Sequence, residues 1–296
     1  MRVLVTGGSG FIGTRLAKRL VQEGYQVIVV DLKEPKVNGV EYHQCDIRDA
    51  DSLATAFGFQ PESVLHLAAM TSVLNSIKIP QEVFDVNVKG TQVLLEHARI
   101  HGCTSFVFAS TNAVVGQSDS KISENSPSHP LTPYGASKAA AESLLSAYGS
   151  CYGMASTSLR LTNVYGPEMW QKDSIVPRLF RFATGSGKFA IYGDGEQYRD
   201  YVFVDDVASA FIKALRSDDS GVHPIGSGES ISVNKLVQLV SNVTKKDLQP
   251  VHIDAQSGEM RGVDVDLSGT EKWGFTPDVM IADGIATTWQ DFLSAQ

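Results

Sequence analysis

Cysteine is scarce, and the three present, Cys45, Cys103 and Cys151, lie far apart with no CxxC pair. Their odd number and spacing give neither a disulfide framework nor a zinc signature, which points to a reducing compartment and to no metal site. Long hydrophobic runs are missing as well: none approaches the ~18 residues expected of a membrane helix. A secretory leader is not apparent, because Gly7 and Gly8 interrupt the apolar stretch that follows Arg2. Positive charge is in short supply, with 25 Lys and Arg against 33 Asp and Glu and a net charge of −8. A chain this acidic is not suited to coating nucleic acid or an anionic membrane. Any anionic ligand must instead be met by a few placed arginines and by backbone N–H groups. No internal repeat or low-complexity stretch stands out, and the expectation is a cytoplasmic protein with a small-molecule ligand.

What the chain does have is an ordinary globular mixture, 43% hydrophobic and 20% charged over 296 residues, enough for a sizeable core. Short β-branched runs alternate with longer helical patterns through the first half. Strands are expected at Arg2–Thr6, Val27–Val30, Ser63–Leu67, Ser105–Ala109 and Thr157–Leu161. Helical spacing falls at Gly13–Gly24, Asp51–Phe57, Pro80–His101 and Tyr134–Tyr148. That order predicts an α/β fold, a Rossmann-like doubly wound parallel sheet with helices on both faces. From about Gly166 the rhythm changes, with helices at Ile175–Thr184, Val204–Arg216 and Val233–Asn242 separated by short strands. Residues 1–165 are therefore read as a dinucleotide-binding domain and 166–296 as a smaller C-terminal substrate-binding lobe over the strand ends, with the chain free to interleave between them.

The first strand runs directly into Gly7, Gly8, Ser9, Gly10, Phe11, Ile12 and Gly13 before a helix begins. Gly7 permits the tight turn, Gly10 a close approach of pyrophosphate to the backbone, and Gly13 the packing of helix on strand. The N–H groups of the helix start then face the phosphates. Asp31 closes the second strand, where a carboxylate accepts both hydroxyls of an adenosine ribose and repels a 2′-phosphate. NAD is favoured, although Lys33 and Lys36 nearby leave NADP open.

Tyr134 and Lys138 stand four apart at the start of a helical run, on one helix face. A neighbouring ammonium favours the ionised phenol, so Lys138 is expected to lower the Tyr134 pKa and make it a base toward a substrate hydroxyl. Ser110 and Thr111 end the strand that runs through Phe106 and Phe108, and a hydroxyl there can bond the same substrate oxygen.

Together these residues resemble the extended short-chain dehydrogenases/reductases of the NAD-dependent epimerase/dehydratase family, nearest to its UDP-glucose 4-epimerase branch. The opening Thr6–Gly13 matches TGxxGxxG, and Tyr134 with Lys138 matches YxxxK. Asp46 and Ile47 match the family's adenine-contacting pair, and Leu67, Ala68 and Ala69 its segment beside the cofactor. Asn87 matches a helix-borne Asn near the cofactor. Counting back five from Gly116 places the family's catalytic Ser/Thr on Thr111, with Ser110 just before it on the cofactor side. In the second half, Asn163 and Arg199 match residues that hold the nucleotide diphosphate, and Tyr192 lies in the strand along the base. Arg261 with Asp264 resembles a last Arg–Asp pair around phosphate and ribose, with Asp266 competing for the aligned role.

The resemblance implies C4 epimerisation of a nucleotide-sugar hexose of the UDP-glucose/UDP-galactose type, with NAD as cofactor. Tyr134 takes the C4 hydroxyl proton with help from Thr111, Lys138 holds the nicotinamide ribose, and the keto sugar turns over while Asn163, Arg199 and Arg261 hold the diphosphate. Thr111 is followed by Asn112 and Ala113, not by the acids a 4,6-dehydratase needs. A net NAD-dependent dehydrogenase or reductase of a sugar or small alcohol uses the same half-reaction and stays open, as does a non-catalytic nucleotide-binding protein. The stretch from Asp264 to Trp273 is shorter than the family's usual form, so the positions that separate hexose from N-acetylhexosamine have no counterpart. The resemblance also implies a homodimer through the helices at Pro80–His101 and Tyr134–Tyr148, for which Leu94, Leu95, Leu144 and Leu145 offer apolar surface.

Overall fold

The computed structural model describes residues 1–217, 219–254 and 262–295. In chain order the first half comprises β1 (Arg2–Thr6), α1 (Phe11–Gln22), β2 (Gln26–Asp31), β3 (Val40–Gln44), α2 (Ala50–Phe57) and β4 (Ser63–His66). Then follow α3 (Val73–Lys78), α4 (Pro80–Phe84), a π-turn (Asp85–Lys89), α5 (Gly90–Ile100), β5 (Ser105–Thr111), α6 (Pro133–Tyr152) and β6 (Ala155–Leu161). The remainder is β7 (Asn163–Tyr165), α7 (Ile175–Ala183), β8 (Ala190–Tyr192), β9 (Tyr198–Phe203), α8 (Val204–Arg216), β10 (Gly221–Ile225), β11 (Ser230–Ser232), α9 (Val233–Thr244), β12 (Val251–Ile253) and α10 (Ile281–Ser294).

Seven strands form one parallel sheet in the order β10-β6-β5-β4-β1-β2-β3. Period-two alternation sorts its side chains between two helical layers. Val3, Val5, Val107 and Leu159 pack toward α1 and α8, against Leu16, Leu20 and Phe211. Leu4, Val64, Phe106 and Phe108 pack on the opposite face against Phe57, Leu94, Leu95 and Leu145. Each of these large side chains stabilises the fold by ~1.5–3 kcal/mol on burial. From β1 the chain winds outward through β2 and β3, then crosses to β4 on the other side of β1. That reversal opens a crevice at the carboxyl ends of the strands, where open α/β sheets bind ligands.

The chain does not stay in the second half once it arrives there: α8 packs on α1, and β10 pairs with β6 at the edge of the large sheet. The other late strands form two small sheets, β11-β9-β7 and β12-β8. Phe180, Tyr201, Leu236, Trp289 and Phe292 form a separate core beneath them.

Two expectations are corrected, and two elements were not expected at all. The helical pattern over Pro80–His101 is not one helix, because the π-turn at Asp85–Lys89 interrupts it. There the Thr91 hydroxyl donates to the Asn87 carbonyl at 2.6 Å, and Gly90 packs where a Cβ would lie 2.7 Å from Ile47 Cδ1. Next, Leu94, Leu95 and Leu145 are buried beneath the sheet and Leu144 is partly buried against the same core, so these leucines do not form an outward dimer face. Finally, β3 and α10 carry no expected pattern: β3 is a half-exposed edge strand, and α10 holds Gly284 and two threonines in its interior.

Candidate active site

A cavity of about 1050 Å³ occupies the crevice. At one end the turn after β1 leads into α1, whose N-cap Gly10 has no side chain to satisfy the first-turn N–H groups. Gly7 sits at φ +71°, and a Cβ at Gly13 would stand 2.1 Å from the Gly7 carbonyl oxygen. The turn is thus pressed against its own helix, with the Gly7 N–H on the Val30 carbonyl and the Gly10 N–H on the Gly7 carbonyl, while Gly7, Gly10, Phe11, Ile12 and Gly13 line the cavity at the start of α1. Asp31, at the end of β2, accepts from the Ser9 N–H at 3.0 Å and the Lys33 N–H at 3.1 Å, which fixes its carboxylate at the cavity wall. Asp46, Ile47, Leu67, Ala68 and Ala69 continue the wall. The Arg48 guanidinium on the Asp46 carboxylate, at 2.6 Å, holds that acid below its ordinary range. An anion-accepting turn beside a fixed carboxylate suits a dinucleotide whose ribose carries free hydroxyls.

Asn87 is placed differently from the other expected cofactor residues. It does not line the cavity; its amide accepts from the Met70 N–H at 2.8 Å and donates to Met70 O and Ser137 Oγ, both at 3.0 Å. It therefore ties the loop after β4 to α6. Beneath that loop lies His66, fully buried between Thr6 and Thr91, at 2.6 and 2.9 Å. Thr91 spends its proton on Asn87, so it accepts from His66 Nε2–H, and Thr6 donates to Nδ1. Burial, with the nearby Lys138 charge, pushes this imidazole down to about 3 and keeps it neutral.

At the centre of the cleft, α6 opens with Thr132 accepting from the Gly135 N–H and Pro133 in the first turn. That start presents Tyr134 and Lys138 to the ends of β5 and β6. The Tyr134 phenol is hydrogen-bonded to Thr111, and Lys138 Nζ donates to the Ala109 carbonyl at 2.8 Å. Both groups line the cavity. The expected lowering of the phenol is reversed: burial pushes Tyr134 up to about 12, and the Thr111 bond only partly opposes it. Lys138 is itself pushed down to about 7 by burial. Ser110 lines the cavity, but its hydroxyl is turned onto Glu142 Oε1 at 2.5 Å, leaving Thr111 as the partner of Tyr134.

The far end is built by the second half of the chain. Asn163 and Arg199 line the cavity, and Asn163 Nδ2 donates to the Asp200 carbonyl at 3.0 Å. Asp200 is wholly buried, and its carboxylate accepts from Thr162 Oγ1, from Ser227 N and Oγ, and from Gly228 N. Burial raises its pKa despite those bonds. This anchor fixes β9, and with it Arg199. Tyr192 and Asp264 do not line the cavity; Asp264 accepts from Ser230 Oγ and the Val265 N–H and lies 3.6 Å from Lys121. Asp266 accepts from the Ser268 N–H. Arg261 lies outside the described residues.

Sequence reasoning missed Lys172 and Ser174, which reach the cavity from the loop before α7, and Met70 and Thr71 from the loop after β4. Lys172 Nζ stands 5.0 Å from the centre of the Phe11 ring, linking that loop to the glycine turn. Their one signal was position: Met70 and Thr71 lie just beyond an expected strand end, and Lys172 and Ser174 just before an expected helix.

The profile of the NAD dependent epimerase/dehydratase family matches residues 3–230. A UDP-glucose 4-epimerase of Mycolicibacterium smegmatis is 34% identical over 308 residues, covering 99% of this chain and 98% of that protein. Among solved structures, the UDP-glucose 4-epimerase of Thermotoga maritima with UDP-glucose is 35% identical, with a TM-score of 0.93 over 100% of this chain and 99% of that one. The UDP-glucose 4-epimerase of Thermus thermophilus in complex with NAD is 35% identical, with a TM-score of 0.92 over the whole of both chains.

Proposed function

This chain belongs to the NAD-dependent epimerase/dehydratase family, and we propose that it is an NAD-dependent isomerase that interconverts the C4 epimers of a UDP-hexose. One observation carries the reading. A single continuous cavity runs from the glycine turn and Asp31, past Tyr134 and Thr111, to Asn163 and Arg199. It thus offers an anion-accepting site at each end and an acid–base pair between them.

NAD supplies the hydride acceptor and donor for C4. The protein's own residues manage the proton and the anchoring. The Tyr134 oxygen takes the C4 hydroxyl proton and later returns one, with the Thr111 hydroxyl bonded to the same oxygen. A phenol raised to about 12 is a poor base at neutral pH, so positive charge beside it is essential. The Lys138 ammonium supplies that charge from the adjacent turn. Asp31 takes the adenosine ribose hydroxyls, and the first-turn N–H groups of α1 take the pyrophosphate. Asn163, Arg199 and Arg261 hold the substrate diphosphate, and the remote nucleotide keeps the loosely held sugar from escaping. The acids lining the cavity are Asp31, Asp46 and Glu82, and none adjoins Thr111, which suits epimerisation rather than loss of water.

Residues 1–165 with α8 and β10 serve the cofactor, and the small sheets with α7, α9 and α10 serve the substrate. Three free thiols and net acidity suit the cytoplasm. No helix among the described residues is long and apolar enough to cross a membrane. A homodimer through α4, α5 and α6 would use exposed Phe84, Ile100 and Tyr152 in place of the buried leucines. Sedimentation distinguishes a 32.0 kDa monomer from its dimer.

The decisive experiment incubates the protein with NAD and UDP-galactose and resolves the products. UDP-glucose should accumulate to a fixed ratio with no net absorbance change at the reduced-nicotinamide band. Absence of conversion, or a steady rise in that band, would overturn the assignment, the latter in favour of net oxidation.

A further inference from the structure

Lys138 occupies a demanding position. The residue is 2% exposed, and its ammonium donates to the Ala109 carbonyl and lies 4.5 Å from the centre of the Phe108 ring. The titratable and charged groups around it are Tyr134 and Glu142 on α6, neutral His66 on β4, and Arg160 on β6 beyond Glu142. Of these only Glu142 is negative.

Glu142 is fixed through both oxygens. Oε1 accepts from Ser110 Oγ at 2.5 Å and Arg160 Nε at 3.0 Å, while Oε2 accepts from Arg160 Nη2 at 2.8 Å. Arg160 Nη1 in turn donates to the Ser126 carbonyl at 2.9 Å. A bidentate guanidinium and a hydroxyl thus hold this buried carboxylate in one place and orientation. A buried ion pair is seldom retained for stability alone, since apolar replacements of similar volume are often neutral or stabilising. Helical spacing places Tyr134, Lys138 and Glu142 on one face at successive turns. Glu142's charge also opposes the downward push that burial exerts on Lys138.

We propose that Glu142 is a positioning residue of the reaction: locked by Arg160 and Ser110, it keeps the Lys138 ammonium charged and aligned beside Tyr134. The inference rests on the acid–base role of Tyr134 and Lys138 given above. It also explains why Ser110 is unavailable to the substrate and Thr111 takes that place.

Glu142→Gln keeps the shape and an acceptor for Arg160 but removes the charge. Glu142→Gln/Arg160→Met neutralises the pair and guards against misfolding of the single variant. Lysine labelled with carbon-13 at Cε is followed by NMR in the cofactor-free protein, the Lys138 signal being assigned by its loss in Lys138→Arg. The wild-type midpoint is expected near 7, and it should fall by about one pH unit in Glu142→Gln. In the double variant it should fall less but in the same direction. With UDP-galactose as substrate, the kcat of Glu142→Gln relative to wild type should drop progressively between about pH 6 and pH 9, with KM changed less than about twofold. An unmoved midpoint in whichever variant folds, or a rate loss equal at every pH, would overturn the proposal. If wild type does not turn over UDP-galactose, the functional reading fails, while the NMR titration still decides the role of Glu142.

Discussion

The glycine turn allows a graded test, because its two central glycines are constrained by different things. At Gly13 an added Cβ would meet backbone atoms at 2.1, 2.7 and 2.9 Å, all belonging to Gly7 and Gly8. Ordinary contact begins near 3.4 Å, so the turn and α1 must separate by about 1 Å to admit one methyl group. Forced overpacking of this kind costs ~1–3 kcal/mol, a fall in Tm of roughly 2–5 °C for a chain of 296 residues, whose unfolding entropy is ~0.6 kcal/mol/K. At Gly10 the nearest atom would be the Gly7 oxygen at 3.2 Å, a conflict that a few tenths of an ångström relieves. Gly10→Ala should therefore keep its Tm within about 2 °C, while its methyl group projects where the pyrophosphate must approach the backbone. Calorimetric titration with NAD should show affinity reduced at least about tenfold, or ~1.4 kcal/mol, in both variants. Only Gly13→Ala should also melt early. If Gly13→Ala melted and bound NAD like wild type, the turn would not be pressed on its helix as described. Unchanged NAD binding by Gly10→Ala would remove the pyrophosphate from this turn.

Three further outcomes follow from the site. Tyr134→Phe keeps the buried ring but loses the proton-carrying oxygen, so kcat should fall by about 10²–10⁴-fold with NAD binding near normal; retention of a tenth of the rate would dismiss Tyr134 as the base. Arg199→Ala should weaken UDP binding by about 2–5 kcal/mol in calorimetry and leave NAD affinity unchanged, whereas equal UDP binding would place Arg199 outside the diphosphate site. Lys138→Met should raise the Tm of the cofactor-free protein. Because burial lowers the folded-state value to about 7 from 10.5, the unfolded chain binds more protons between those values, and wild-type stability from this group rises with pH. The gain in Lys138→Met should thus be larger at about pH 6.5 than at about pH 9.5, and a gain independent of pH would contradict a buried ammonium.

Much of the first half was legible because its information is local. The β-branched run at Val3–Val5, the glycine spacing and the Tyr134–Lys138 interval each declare themselves within a few residues. What escaped depends on chain brought from afar. Ser110 and Glu142 are 32 residues apart, and His66 meets Thr6 across 60, so neither partnership leaves a pattern in sequence. The sign of the Tyr134 shift was misread for the same reason: four-residue spacing reveals the nearby lysine but not the burial that outweighs it. Leu94, Leu95 and Leu145 were ambiguous because both faces of their helices carry apolar residues, and only the position of the sheet decides which face is covered. The break at Asn87 was hidden because a π-turn inserts a residue without Pro or Gly at its centre.

The late return of α8 and β10 to the large sheet bears on how the polypeptide assembles. A nascent chain that has emerged only as far as residue 165 contains six of the seven parallel strands, yet β6 still presents an unpaired edge. The cluster that buries Leu16 and Leu20 of α1 also waits for Phe211 and Leu215 of α8. An unpaired edge beside bare apolar surface invites association with other chains. Residues 1–165 therefore leave the large sheet incomplete, and its last strand comes from residues translated more than fifty positions later. The large sheet is consequently completed only after β7, α7, β8 and β9 have already been synthesised, so the two halves of the fold mature together and not in sequence.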